Sequence, residues 1–225
     1  MARLSSSFGR NIRLSIAAVG TLVLLASCDA RSPESAERAH QERDAQLAET
    51  LRNEATNDPQ NPFAAAQMLT EDSMQAATAG TIDQTWLEIM IEHQEGAARF
   101  ADIVLRSGSS GGVSNEAAKI SKESHGRIEK LKGLRKSSLG GDGDSGDALR
   151  PAISSTFQNM ATAIGASPAE TWALKMIAYD RGAVSLAGIE ATRGKDERVR
   201  QIAREMALEL ANEADRLERM RHALR

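Results

Sequence analysis

The chain has 225 residues, 41% hydrophobic and 26% charged, a balance that fits one or two globular units and excludes a disordered chain or a polytopic membrane protein. A formal net charge of -3 with both signs interspersed offers no basic field to a phosphate backbone, so nucleic-acid binding lacks electrostatic support. Aromatic residues make up only 3%, and Ala, Leu, Glu and Arg dominate, which predicts an all-α protein.

Arg3, Arg10 and Arg13 precede an apolar run over residues 14–26, too short for a comfortable membrane span and suited to the core of a signal peptide. The run ends Leu25-Ala26-Ser27-Cys28, which resembles a bacterial lipobox. Cys28 is the only cysteine, so one chain can form neither an internal disulfide nor a multi-cysteine metal site. The expectation is a signal peptide over residues 1–27 and a lipid on Cys28. That lipid would tether the mature protein to a membrane of the bacterial cell envelope, facing the periplasm or the exterior. A protein partner, or a second copy of the chain, is the remaining class of macromolecular partner.

Residues 28–62 read as a charged stalk and linker, with Glu34, Arg38 and Glu42 at helical i,i+4 spacing. Pro59 and Pro62 end the stalk, since each lacks an N–H donor and disfavours helix in the residue before it. A second break, residues 137–148, contains Gly140, Gly141, Gly143 and Gly146 and reads as a flexible connection. Its run from Asp142 to Asp147 superficially matches a calcium loop. Gly146 stands at the fifth loop position and no Glu at the twelfth, so no calcium site is expected.

The segments 63–136 and 149–225 are copies of one another. Met74, Thr85, Trp86, Met90, Ile91, Gly96 and Ala97 recur 86 positions later as Met160, Thr171, Trp172, Met176, Ile177, Gly182 and Ala183. Arg127, Ile128 and Leu131 correspond to Arg216, Leu217 and Met220, with three extra residues in the intervening turn. Each copy predicts a short helix (63–79; 151–165), a long one (82–107; 168–193) and a third (114–136; 196–224). Thr81 and Ser167 are placed as N-caps, and Gly108 and Gly194 as stops.

Trp86, Met90, His93, Ala97, Phe100 and Val104 form an apolar stripe on one long helix, and Trp172, Met176, Tyr179, Ala183 and Leu186 on the other. The last helix repeats the pattern with Met206, Leu210, Glu213, Leu217, Met220 and Leu224. The expected architecture is a four-helix core built from two tandem helical repeats, with the short helices alongside.

Polar residues on these stripes need partners: His93, Tyr179 and Glu213, with Ser124 at the position of Glu213 in the other copy. Two readings stand. His93 and Glu213, with Tyr179 and Asp180, hold a metal or ligand between facing helices, or they hydrogen-bond one another inside the core. Copper is the metal with most support, because thioethers are soft ligands and Met90, beside His93, is one of several helical methionines. The donor set would then be His93, Met90, Asp180 and Glu213. Met90 and Met176 also sit where methionine commonly fills a core. A di-iron centre is not expected, since the single Glu-x-x-His, Glu37 to His40, lies in the stalk. His125 and His222 read as solvated, and no nucleophile elbow, phosphate-binding loop or dinucleotide fingerprint is present.

The segment Met90-Ile91-Glu92-His93-Gln94-Glu95-Gly96-Ala97 resembles the motif Met-Ile-x-His-His-x-Gly-Ala of an exported, ferritin-like bacterial family, domain of unknown function 305. Its later signature, Gln-x-x-Glu-Ile-x-x-Met, is echoed at Ser124-x-x-Arg127-Ile128-x-x-Leu131 and Glu213-x-x-Arg216-Leu217-x-x-Met220. The resemblance implies a ferritin-like bundle in a degenerate tandem arrangement. The motif's metal-suited His pair stands here as His93-Gln94 and Tyr179-Asp180. The expected function is therefore a non-enzymatic binding or scaffolding module that requires no cofactor, with periplasm-facing copper binding as the alternative.

Overall fold

The computed structural model describes residues 61–78, 80–109, 111–136 and 143–224, together with Glu42, Arg43 and Gln46. The expected signal peptide, Cys28 and most of the stalk lie outside the described residues. Among residues 61–224 that are described, six α-helices follow one another: α1 (Ala64–Ala76), α2 (Ile82–Arg106), α3 (Gly111–Arg135), α4 (Arg150–Thr162), α5 (Pro168–Arg193) and α6 (Glu197–Ala223), with a 3-10 turn over Gly146–Leu149 before α4. The fold is all-α. Among the described residues no helix is long and apolar enough to cross a membrane.

Local chemistry sets the helix ends. Thr81 and Gln84 form a reciprocal capping box at the start of α2, the Gln84 amide accepting from Thr81 N–H at 3.1 Å. Ser167 accepts from Glu170 N–H at 3.2 Å, and Pro168 occupies the first turn of α5, where its missing N–H costs nothing. Gly108 follows α2 at φ 70°, a left-handed conformation that favours glycine. Gly194 also stops its helix, but at φ -59°. The reason for glycine there is space: a Cβ would overlap the Glu190 carboxyl beneath it.

Helices α2 and α3 form one hairpin, α5 and α6 the other, and the hairpins meet chiefly through α2 and α5. Helix α1 lies on α2, α4 on α5, and the two short helices touch. Every residue of the two long-helix stripes is buried, from Trp86 to Val104 and from Trp172 to Leu186. On α6 burial extends from Met206 through Leu217. The copies share their close contacts. Thr70 and Thr156 each bond the carbonyl four residues back, Ala66 and Ala152, at 2.7 Å. Each threonine then sits against the glycine of its long helix, Gly96 or Gly182, where a Cβ would overlap it.

The described part of the connection after α3, residues 143–148, is held in place. Ile82 N–H donates to Asp144 O at 2.8 Å, and Gly146 N–H to Gly80 O at 3.0 Å, so residues 144–146 supply one acceptor and one donor to the chain entering α2. A side chain at Gly146 would collide with Thr85. The expected flexible connection over residues 137–148 therefore docks through its second half, because the glycines that make it look pliant also let its backbone approach α2.

Candidate functional site

The repeat places residues 93 and 179 opposite one another where α2 and α5 meet. The His93 and Tyr179 rings stack, with centroids 3.8 Å apart and planes 13° from parallel. The contact is reciprocal: Tyr179 O–H donates to His93 O at 3.0 Å, and His93 Nε2–H donates to Tyr179 O at 3.4 Å. Phe100 meets the Tyr179 ring edge-on at 5.6 Å, closing the apolar wall.

The Nε2–H bond fixes the tautomer and leaves Nδ1 as an acceptor. Gln94 Nε2 donates to it at 3.1 Å. The other end of that amide, Oε1, accepts from Arg127 Nη1 at 3.3 Å. Arg127 continues to Glu213 Oε2 through Nη1 at 3.0 Å and to Glu209 Oε2 through Nε at 3.0 Å. One buried chain of bonds thus runs from Tyr179 through His93, Gln94 and Arg127 to Glu213. Burial pushes the His93 imidazole down to about 3, outweighing the upward pull of its bond to Tyr179 O. Burial likewise raises the Tyr179 phenol well above its ordinary range. Both rings are neutral at any physiological pH.

The expected polar cluster is present, but not as a ring of converging ligands. His93 and Tyr179 touch directly, and Glu213 joins them only through Gln94 and Arg127. Ser124 is buried, with an Oγ that meets no partner. Asp180 is buried too, and neither of its oxygens meets a donor; Glu213 Oε1 is in the same state. Burial first, and the Glu213 charge second, raise the Asp180 carboxyl well above the usual range, so Asp180 is a neutral acid here. Met90 and Met176 are buried in the apolar core. His125 and His222 are exposed.

The donor set His93, Met90, Asp180 and Glu213 does not fit a metal in this arrangement. Both His93 ring nitrogens are engaged in hydrogen bonds and its face lies on Tyr179, so no lone pair points into open space. Among the described residues no group of three or more His, Cys, Asp or Glu side chains is arranged to hold a metal ion.

Gln94 and Arg127 carry the cluster although neither lies on the apolar stripe. Arg127 could have been found: it follows Ser124 by one helical turn and recurs as Arg216 in the second copy. Two further buried groups escape the pattern. Lys175 donates to Gln67 Oε1 at 2.8 Å and to Met160 O at 2.7 Å, which joins α1, α4 and α5, and burial lowers its ammonium to about 8. Asp83 accepts from Lys195 N–H and Asp196 N–H at 3.0 and 2.8 Å, tying the first turn of α2 to the α5–α6 turn. Beside it Glu190 is raised to about 8, by burial and then by Asp83.

No curated protein and no solved structure matches the chain. A family model does match, over residues 30–135, which take in the first copy through the end of α3 and leave the second copy outside. Over that segment the chain is similar to the family described as Domain of unknown function (DUF305).

Proposed function

We propose that the chain is an exported, lipid-anchored envelope protein whose ferritin-like double repeat acts by binding or scaffolding, without catalysis. The observation that carries this reading is the reciprocal His93–Tyr179 contact. The residue best suited to ligate a metal or move a proton has both nitrogens committed to the fold and an imidazolium form suppressed to about pH 3. A general base working near neutral pH needs a pKa near 7 and a proton to reach, and this site offers neither. The lipobox-like Leu25-Ala26-Ser27-Cys28 supports the address, and the paired hairpins support the bundle.

Elemental analysis tests the reading against its copper alternative. The mature protein, purified without chelator and offered Cu(I), Cu(II), Zn and Fe separately, is expected to retain no stoichiometric metal that is lost in His93→Ala. Stoichiometric copper abolished by both His93→Ala and Met90→Leu would instead establish the metal site. Cys28→Ser is expected to shift the protein from the membrane to the soluble fraction of an expressing bacterium. An unchanged membrane fraction would remove the lipid anchor from the reading.

A further inference from the structure

A cleft of about 270 Å³ lies on the second copy between α4 and α5. Small residues, Ala152, Thr156 and Gly182, are among those that line it, and Ser155, Asn159, Arg181 and Ser185 bring its polar groups. The repeat supplies an internal reference for this cleft. These small positions are the same in both copies, Ala66, Thr70 and Gly96 corresponding to Ala152, Thr156 and Gly182. The larger positions differ in size and charge. Leu69, Glu92, Glu95 and Arg99 in the first copy become Ser155, Ala178, Arg181 and Ser185 in the second.

Charge makes the difference informative. In the first copy Arg99 pairs with Glu95 at 3.4 Å, so cation and carboxylate satisfy one another across one turn of α2. In the second copy the cation stands at 181 and its counterpart at 185 is a serine. The Arg181 guanidinium makes no ion pair or side-chain hydrogen bond among the described residues. Its charge is felt by Glu218, which is itself paired with Arg221 at 2.5 Å. The cleft therefore presents a cation without a dedicated carboxylate, flanked by hydroxyl and amide groups.

We propose that this cleft binds a small hydroxylated carboxylate the size of a sugar acid, with Arg181 as counter-ion and Ser155, Asn159 and Ser185 bonding its hydroxyls. The volume sets the scale, because sites for drug-sized ligands begin at about 300 Å³. The chemistry follows from the guanidinium, whose paired N–H groups match a carboxylate. This assignment rests on the binding-module reading and names the ligand class for it.

D-glucuronate is the probe, with D-glucose as its neutral counterpart and inorganic phosphate as the competing anion. Calorimetry on the full chain in detergent is expected to show saturable millimolar binding of glucuronate, at least tenfold weaker for glucose and for phosphate. Arg181→Glu is expected to lose at least tenfold in affinity while its thermal melt stays unchanged, since residue 181 is exposed and its guanidinium holds no ion pair among the described residues. Absence of saturable glucuronate binding, equal binding by Arg181→Glu, or equal affinity for phosphate would each overturn the assignment. Proton spectra of the recovered ligand separate the two proposals. Chemical conversion of glucuronate would end the non-catalytic reading and leave the cleft standing, whereas no binding would end the cleft and leave that reading.

Discussion

Burial holds the His93 imidazole neutral down to about pH 3, whereas in an unfolded chain it takes up a proton near 6.5. Between those values the unfolded state binds the extra proton, so His93 withdraws stability as pH falls from about 6.5 toward 3. The slope attributable to this residue is about 1.4 kcal/mol per pH unit within that window. Asp180 and Glu213, both raised by burial, act with the opposite sign above the ordinary carboxylate range. The wild type therefore reports only a difference, and a variant is needed to isolate the histidine. His93→Gln is expected to be less stable at pH 7, through loss of the stack, but flatter between pH 6 and 4. Urea melts across that range measure the slope, and parallel curves for the two proteins would refute the assignment. That residues 93 and 179 occupy equivalent positions was readable from the 86-residue offset, but the stacking of their rings was not, since the expected partner of His93 was Glu213. Full use of both ring nitrogens was not readable, because it depends on the rotamer of Gln94, a residue off the apolar stripe.

Helix ends were legible where a capping side chain or a stop residue marks them, and less so where packing decides. Ser167-Pro168 and Arg193-Gly194 fix α5 at the expected bounds, residues 168–193. Helix α3 starts at Gly111, ahead of the expected 114, because poor helix formers at an exposed end are carried by the packing that follows, beginning at buried Val113. The α5–α6 turn shows what local pattern misses altogether. Asp83 and Glu190 are distant in sequence, and only the fold brings them together over Gly194. Glu190 keeps its proton up to about pH 8 when folded but loses it near 4.5 when unfolded. In that interval the folded state binds more protons, so stability declines as pH rises from about 4.5 to 8 and levels off above. Glu190→Gln retains the shape without the ionisable proton and is expected to gain stability over wild type progressively from pH 5 to 8.5. Thermal melts at those values read the gain, and a constant offset between the proteins would show that Glu190 does not titrate in this window.

At the scale of the molecule, two seams join the halves by different means. The inner seam, α2 against α5, is apolar and close-packed around the His93–Tyr179 stack. The outer seam, between α3 and α6, is laced by ion pairs: Lys130–Glu205 at 2.8 Å, Arg216–Glu116 at 2.9 Å, Arg216–Glu123 at 3.2 Å and Arg127–Glu213 at 3.0 Å. These pairs are not equivalent. Lys130 and Glu205 are nearly half exposed, so water and salt screen them and Lys130→Ala is expected to leave the urea midpoint almost unchanged. The Glu213 side chain is 0% exposed, and Arg127 is the cation that justifies its burial. Arg127→Met strands the Glu213 carboxylate and leaves the Gln94 carbonyl without its donor, a loss of about 3–5 kcal/mol. Removing the charge from both sides reverses most of that loss, because the desolvation penalty of Glu213 disappears with it. Arg127→Met with Glu213→Leu is therefore expected to recover more than half of the single-variant deficit in urea melts. If the double variant is as unstable as Arg127→Met alone, the arginine holds the halves together through Gln94 and Glu209, and the buried ion pair is not what joins them.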